Sequence, residues 1–245
     1  MVESLTGGGH CMMVVDGAYV FMGARDLITK TQRKLKLLNP EKLKIMKEFI
    51  QTKINRKISE AHWITAEDNI ETAMNHKNLY ETIVKNGFKL DIRDFKRKKA
   101  YCPNKDCQHN KGFDTKVQRE VDVAIAMRPV KSLYENPNLD VVVLLAGDGD
   151  FLDMVEFFTQ TLRKKVYVVA WSSSIGNYLK EKCTDIFYLD AIWDDLTEAT
   201  DGAPLTNSEV LKLIGISDTI AYAATRKYPS IEQRDECIEF ALKLN

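Results

Sequence analysis

Residues 141–158 read VVVLLAGDGDFLDMVEFF, an apolar run of largely β-branched residues that ends in two aspartates and continues into an amphipathic segment. An uninterrupted apolar run of this length is typical of a strand buried on both faces of a parallel sheet. The segment after it has the apolar spacing of a helix. The stretch therefore predicts a strand followed at once by a helix, with Asp148 and Asp150 at the carboxyl end of the strand.

The same alternation of strand and helix extends outward from this unit through most of the chain. Strands are predicted at residues 12–15, 62–65, 88–95, 140–146, 165–171 and 185–189. Helices are predicted at residues 40–57, 70–85, 121–127, 151–162 and 175–182. This alternation predicts an α/β domain over residues 1–199, with a parallel sheet that carries helices on both faces. Residues 100–118 are predicted to form an irregular insertion, and residues 205–245 a small helical appendage after a linker.

Composition sets the class of protein. The chain has 245 residues, of which 44% are hydrophobic and 29% charged, as expected of a globular protein with a substantial core. No apolar run approaches the roughly 20 residues that a membrane-spanning helix needs, and the first residues do not resemble a signal peptide. Five cysteines, an odd number, favour reduced thiols. We therefore expect a cytoplasmic or nuclear protein without a membrane partner.

Charge is balanced in total but segregated along the chain. There are 35 basic and 35 acidic residues, yet residues 30–57 hold ten Lys or Arg against two Glu, and residues 93–99, RDFKRKK, hold five against one. Basic blocks in a neutral chain are compatible with a polyanionic partner on one face. A well-solvated helix surface explains the first block equally well.

Four acidic residues stand where an α/β sheet places its functional groups. Asp16 ends the first predicted strand, Asp148 and Asp150 end a central one, and Asp122 precedes an apolar helix. Ligands of such sheets bind at the carboxyl ends of the strands. Carboxylates grouped there prefer hard cations such as Mg²⁺, Mn²⁺ or Ca²⁺. The alternative is that the aspartates only form turns or cap the helix that follows.

Several ordered segments carry a resemblance to a known family. VVDGAYVF, REVDVAIAM and VVVLLAGDGDFLDMVEFF, followed by RKKVYVVAWSSSIGNYLKEKCTDIFYLDAIW, resemble the motifs of the NYN family, a branch of the PIN-like ribonuclease superfamily. The resemblance covers residues 12–196. It implies a PIN-like α/β fold and metal-dependent endonucleolytic hydrolysis of RNA with Mg²⁺ or Mn²⁺. Carried over by position, the implied catalytic and metal-binding residues, hereafter the four acids, are Asp16, Asp122, Asp148 and Asp150.

The chain departs from the family pattern at several positions. Tyr19 stands where NYN proteins usually have Asn, Glu120 where they have Gly, and Arg128 about where a further acid is expected. Ala146 replaces a common Ser. These departures keep a second hypothesis open, that of a catalytically degenerate PIN-like protein that binds RNA or acts as an adaptor.

Two segments are candidates for contact with single-stranded RNA. The basic segment 93–99 mixes one aromatic residue with cations, a combination that stacks bases and binds phosphates. The serine-rich loop follows a strand and precedes a helix, where hydroxyl and backbone N–H groups can meet a phosphate; an ordinary helix cap is the alternative. The predicted RNA contacts are Arg93, Lys96, Arg97, Lys98, Lys99, Ser172, Ser173 and Ser174.

The predicted insertion contains a candidate zinc site. Cys102, Cys107 and His109, in CPNKDCQH, supply three of the four ligands that structural Zn²⁺ requires. The fourth would be a water molecule or one of His10, Cys11, His76 and Cys183. Some NYN proteins resemble this one in carrying a cysteine pair at this point. The alternative is a polar loop with free thiols.

The C-terminal residues 205–245 weakly resemble a ubiquitin-associated domain. Leu213-Ile214-Gly215-Ile216 occupies the place of that family's apolar-glycine loop. The resemblance implies ubiquitin as a partner. The alternative is a helical appendage that packs on the catalytic domain or mediates self-association, for example as a homodimer.

Overall fold

The structure, a computed structural model, describes residues 9–31, 33–37, 39–67, 76–101, 112–118 and 120–199. The strands are β1 His10–Asp16, β2 Arg33–Leu35, β3 Glu60–Glu67, β4 Lys89–Ala100, β5 Phe113–Gln118, β6 Leu139–Leu145, β7 Lys165–Ala170, β8 Asp185–Tyr188 and β9 Thr197–Ala199. The helices are α1 Gly17–Met22, α2 Arg25–Thr31, α3 Pro40–Ile54, α4 Lys77–Lys85, α5 Val121–Glu135, α6 Leu152–Glu156, α7 Asn177–Lys182 and α8 Trp193–Leu196.

Seven of these strands form one sheet in the order β5-β4-β3-β1-β6-β7-β8. Every neighbouring pair in it is parallel except β4 and β5. The strands β2 and β9 form a separate antiparallel pair. The predicted α/β class with a parallel sheet is confirmed.

The central strands β1 and β6 are buried on both faces, as the apolar run in the sequence predicts. Successive side chains of each strand alternate between two apolar clusters, one on either face of the sheet. Helices α1 to α4 and α8 cover the first cluster, and α5 to α7 cover the second. This arrangement confirms the prediction of helices on both faces.

The strand order reverses between β1 and β6. From β1 the chain builds outward through β3 and β4 on one side, whereas β6, β7 and β8 build outward on the other. Loops at the carboxyl ends of two strands that flank such a reversal diverge and leave a crevice. The fold therefore places a ligand crevice after Asp16 of β1 and Leu145 of β6.

The predicted insertion at 100–118 is wrong for its last six residues. Residues 113–118 form β5, which pairs antiparallel with residues 95–100 of β4. Because β3 pairs only with residues 89–94 of β4, the second half of β4 and β5 form a two-stranded ribbon that extends past the sheet. The two strands follow one another in the chain and pair as a hairpin. Residues 102–111 lie outside the described residues.

The predicted helix over 151–162 is divided into three parts. A 3₁₀ turn at Gly149–Phe151 leads into α6, which ends in a π-helical turn at Phe157–Thr161. The predicted helix over 70–85 is observed as α4, Lys77–Lys85, and residues 70–75 of the prediction lie outside the described residues. The predicted linker and the C-terminal appendage also lie outside the described residues. Within the described part of the chain, no helix is both long and apolar enough to cross a membrane.

Candidate carboxylate centre

Asp16 and Asp148 each lie just at the carboxyl end of a central strand and begin a helical turn. One carboxylate oxygen of Asp16, Oδ1, accepts hydrogen bonds from the backbone N–H groups of Ala18 and Tyr19, both at 3.0 Å. Oδ1 of Asp148 accepts one from the N–H of Asp150 at 3.0 Å. The capping role considered for these aspartates is therefore real. It uses one oxygen of each carboxylate, and the Oδ2 atoms accept no hydrogen bond from the described residues.

Asp122 brings a third carboxylate to this edge of the sheet from the first turn of α5. The pKa of Asp16 is raised to about 6. Burial is the largest cause, the Asp122 and Asp148 carboxylates add to it, and the two backbone N–H donors act in the opposite direction. Burial is also the largest cause of the raised pKa of Asp122, and the Asp148 and Asp150 carboxylates raise it as well. Each shift comes partly from the other acids, so the four acids share one electrostatic environment.

The chemistry of this donor set suits a hard divalent cation. All its atoms are carboxylate oxygens. Burial, and after it the neighbouring carboxylates, raise the pKa of Asp16 and Asp122, and a bound cation would lower both values. As the side chains lie, no group of three or more His, Cys, Asp or Glu among the described residues is close enough to hold a metal. Asp122 and Asp150 are exposed, and rotation about their side-chain bonds changes their distance from Asp16 and Asp148.

Glu120 explains one departure from the family pattern. Its φ of 62° lies in the left-handed region that favours glycine, and glycine is the residue that NYN proteins usually have here. The backbone at Glu120, two residues before Asp122, thus has a conformation that glycine adopts more easily than glutamate does.

Arg128, another departure, does not lie among the four acids. Its guanidinium Nη2 pairs with Glu60 Oε1 at 3.1 Å and with Glu135 Oε2 at 2.8 Å. Glu60 begins β3 and lies beside Met12, four residues before Asp16 along β1. Arg128 therefore lies toward the opposite end of the strands from the four acids.

Glu60 is the centre of a polar cluster at that opposite end. Besides Arg128, its carboxylate contacts the side chains of His10, His62, Lys89 and Ser132. Although burial acts in the other direction, these hydrogen bonds hold the pKa of Glu60 well below its usual value. The cluster fastens α5 to β3 and leaves Asp122 at the far end of the helix.

The serine-rich loop is largely occupied with contacts inside the protein. Ser172 binds Asp190 through its backbone N–H at 2.9 Å and its hydroxyl at 2.5 Å. The Ser174 hydroxyl donates to the phenol oxygen of Tyr19 at 2.9 Å. Ser173 is exposed. Of the three predicted phosphate contacts, Ser173 is therefore the best placed to meet a ligand.

The basic segment lies in the ribbon that extends beyond β3. Lys96, Arg97 and Lys98 are in the described backbone of β4, and Lys99 is exposed. Arg93 instead pairs with Asp91, Nη2 to Oδ2, at 2.6 Å. Because β4 runs parallel to β3 and β1, the ribbon extends from the same edge of the sheet that carries the four acids.

The predicted zinc ligands Cys102, Cys107 and His109 lie outside the described residues. Among the candidates for the fourth ligand, His10 contacts Glu60 and His76 contacts Glu67 through Nδ1 at 2.6 Å. Cys11 is a buried free thiol, and burial raises its pKa to about 12. Cys183 is also free and half-buried.

Sequence patterns missed a buried carboxylate at the end of β3. Glu67 is 6% exposed and accepts hydrogen bonds from the Tyr80 phenol and the His76 ring. It extends three residues beyond Ile64, the neighbour of Asp16. The sequence signal for it was a charged residue just after the predicted strand at 62–65. Its partners, Tyr80 and His76, come from α4 and the turn before it.

The glycine between β6 and Asp148 is required by close packing. A Cβ atom on Gly147 would lie 2.4 Å from the Ser174 carbonyl oxygen and 2.4 Å from the Tyr19 phenol oxygen. We expect Gly147→Ala to lower the free energy of unfolding by about 1–3 kcal/mol, because backbone must move to admit the methyl group. Gly149→Ala is the matched control, since a Cβ there meets nothing within 4 Å. Equal urea midpoints for the two variants would contradict the prediction.

Comparison with known proteins identifies the family of this chain. A family model described as NYN domain matches residues 11–190. No curated protein matches the chain. A crystal structure of a protein of unknown function from Vibrio parahaemolyticus is similar, with 18% identity and a TM-score of 0.49 over 78% of this chain and 96% of that one. The chain belongs to the NYN domain family, a branch of the PIN-like nuclease superfamily.

Proposed function

We propose that this protein is a metal-dependent endoribonuclease whose four acids hold Mg²⁺ or Mn²⁺. The observation that carries the proposal is the placement of Asp16 and Asp148 at the ends of adjacent strands where the strand order reverses, with Asp122 beside them; burial and neighbouring carboxylates raise the pKa of both Asp16 and Asp122 there. Grouped carboxylates without a counter-charge cost stability, and family membership gives that cost a functional reason.

The four acids have different roles in the proposed site, according to their positions. Asp16 and Asp148 are fixed by their capping hydrogen bonds and set the distance across the crevice. Asp122 and Asp150 are exposed and complete the oxygen ligands. A divalent cation bound there supplies the charge that activates water and offsets the charge that develops on a phosphodiester during in-line displacement.

The proposed substrate is single-stranded RNA. The basic ribbon formed by residues 95–100 and 113–118 extends from the edge of the sheet that carries the four acids. The lysines and arginines in its sequence are of a type that neutralises phosphates, and its one aromatic residue in RDFKRKK is of a type that stacks on bases. An RNA strand held on the ribbon would reach the crevice between β1 and β6.

Metal binding tests the proposed centre without requiring the right RNA. Isothermal titration calorimetry of the full chain is expected to detect Mn²⁺ binding that Asp148→Asn weakens at least tenfold. Asp194→Asn is the control, because this carboxylate on α8 is 87% exposed and belongs to none of the four acids. No binding by the wild-type chain, or unchanged affinity in Asp148→Asn, would overturn the proposal.

The second candidate, an RNA-binding or adaptor protein without catalysis, is favoured by Tyr19 in place of the family's Asn and by the separation of the acids as they lie. It predicts RNA binding that weakens with salt, because phosphate contacts release counterions. It also predicts that EDTA leaves the affinity for RNA unchanged and that no cleavage product forms. Filter binding and a cleavage gel on one labelled RNA distinguish the two functions.

A further inference from the structure

Tyr178 is an exposed aromatic residue in the first turn of α7. It is 68% exposed, whereas the next residue, Leu179, is buried in the second apolar cluster. Among the described residues, none makes a hydrogen bond or a ring contact with the Tyr178 side chain. The packing of the domain therefore leaves this ring available to a ligand.

The start of α7 packs against the turn that carries Asp148 and Asp150. A Cβ atom on Gly176 would lie 3.3 Å from the backbone N of Gly149 and 3.5 Å from its Cα. Gly149 separates the two aspartates in the sequence. Tyr178 follows Gly176 by two residues, so it lies within one helical turn of this contact.

A salt bridge shows which way Tyr178 faces. Lys182 Nζ pairs with Glu156 Oε1 at 2.9 Å, so this side of α7 faces α6. Residues four apart lie on the same side of a helix, and Tyr178 precedes Lys182 by four. The two helices each connect parallel strands over the second apolar cluster and therefore run in the same direction. One turn before Glu156 is the start of α6, directly after the 3₁₀ turn that contains Asp150, so Tyr178 faces this turn.

The strand order places Tyr178 across the crevice from the basic ribbon. The ribbon extends from β4, which is separated from β1 by β3 alone, whereas α7 follows β7, the neighbour of β6. The four acids lie between these two sides, after β1 and β6. An RNA strand that runs from the ribbon across the four acids would therefore meet Tyr178 next.

We infer that Tyr178 stacks on a nucleobase of RNA beside the four acids and thereby gives this site a preference for single-stranded over duplex RNA. The inference rests on the proposed function and adds a contact to the base. A base stacks on an exposed aromatic ring only when it is unpaired, whereas a duplex keeps its bases inside the helix. The cations of the ribbon attract the phosphates of both forms. Because every base has an aromatic face, this contact selects for strandedness and not for sequence.

The test measures the affinity of the full-length chain for RNA by fluorescence anisotropy in EDTA, which prevents metal-dependent cleavage. The probes are a labelled single-stranded RNA without self-complementarity and a labelled RNA duplex of equal length. Tyr178→Ala is expected to weaken binding of the single strand roughly tenfold or more and to leave the affinity for the duplex unchanged. Tyr178→Phe keeps the ring and is expected to bind the single strand like the wild type.

Tyr134→Ala is the matched control. Tyr134 is 90% exposed and lies in the last turn of α5. It precedes Glu135, which pairs with Arg128 toward the opposite end of the strands from the four acids. This variant is expected to bind both probes like the wild type, and circular dichroism verifies that each variant is folded.

Each outcome decides a separate point. A loss confined to the single strand and to Tyr178→Ala supports the inference. Unchanged binding by a folded Tyr178→Ala, or an equal loss for the duplex or in Tyr134→Ala, overturns it. None of these results affects the metal centre, which Mn²⁺ calorimetry tests without RNA. A wild-type chain that binds no single-stranded RNA overturns both the inference and the proposed substrate.

Discussion

Asp148→Asn is expected to lower the rate of RNA cleavage about 100-fold or more while the fold stays intact. Asparagine can keep the acceptor that Asp148 presents to the Asp150 N–H, so the turn after β6 survives. What is lost is one negative charge from the four acids, and with it much of the attraction for a divalent cation. The measurement is initial cleavage velocity at saturating Mn²⁺, with far-ultraviolet circular dichroism to verify folding.

Asp194→Asn serves as the control for this loss because it makes the same chemical change at an exposed carboxylate. It is expected to cleave like the wild type. Undiminished cleavage by Asp148→Asn would reject the carboxylate centre as the site of chemistry. Equal losses in both variants would point to a contaminant or to general loss of charge.

Asp16→Asn is expected to raise the free energy of unfolding by about 1–3 kcal/mol near pH 8 in EDTA, although it removes cleavage. The wild-type carboxylate is charged, largely buried and beside Asp122 and Asp148, which raises its pKa to about 6. Asparagine is neutral and still accepts hydrogen bonds from Ala18 and Tyr19. If neutralising Asp16 stabilises the protein, then the charged carboxylate is kept there for function although it lowers stability.

The pH dependence of this gain follows from the direction of the shift. The pKa of Asp16 rises from 3.8 to about 6 on folding, so the folded state binds the proton more tightly than the unfolded state does. The charged form costs stability above pH 6, and the cost disappears as the pH falls through 6 toward 3.8. Urea denaturation should therefore show about half of the gain near pH 5. A gain that is constant with pH, or a loss near pH 8, would contradict the assignment.

The centre of the fold could be predicted from local patterns because burial leaves a clear signal there. The run VVVLLA predicts β6 since a strand with helices on both faces must be apolar on both sides. The aspartates that follow such a strand predict the edge where ligands bind. The observed strand order then accounts for the proximity of Asp16 and Asp148, which lie 132 residues apart in the sequence (148 − 16 = 132).

The parts that could not be predicted depend on contacts between distant residues. The strand β5, FDTKVQ, does alternate aromatic or β-branched residues with polar ones, but the polar, Pro- and Gly-containing residues before it favour a loop, and only the pairing with β4 shows the strand. Gly147 and Gly149 look equivalent in GDGD, yet only Gly147 is in close contact with other residues. The partner of Arg128 could not be predicted either, because Glu60 lies 68 residues earlier in the chain, on β3.

Cleavage of an end-labelled single-stranded RNA by the wild-type chain, with Mn²⁺ and with Mn²⁺ plus excess EDTA, tests the central claim most directly. The account predicts shorter products that form with Mn²⁺ and disappear with EDTA. RNA that binds the protein yet yields no product with Mn²⁺ or Mg²⁺ would contradict the nuclease assignment and support the adaptor function instead.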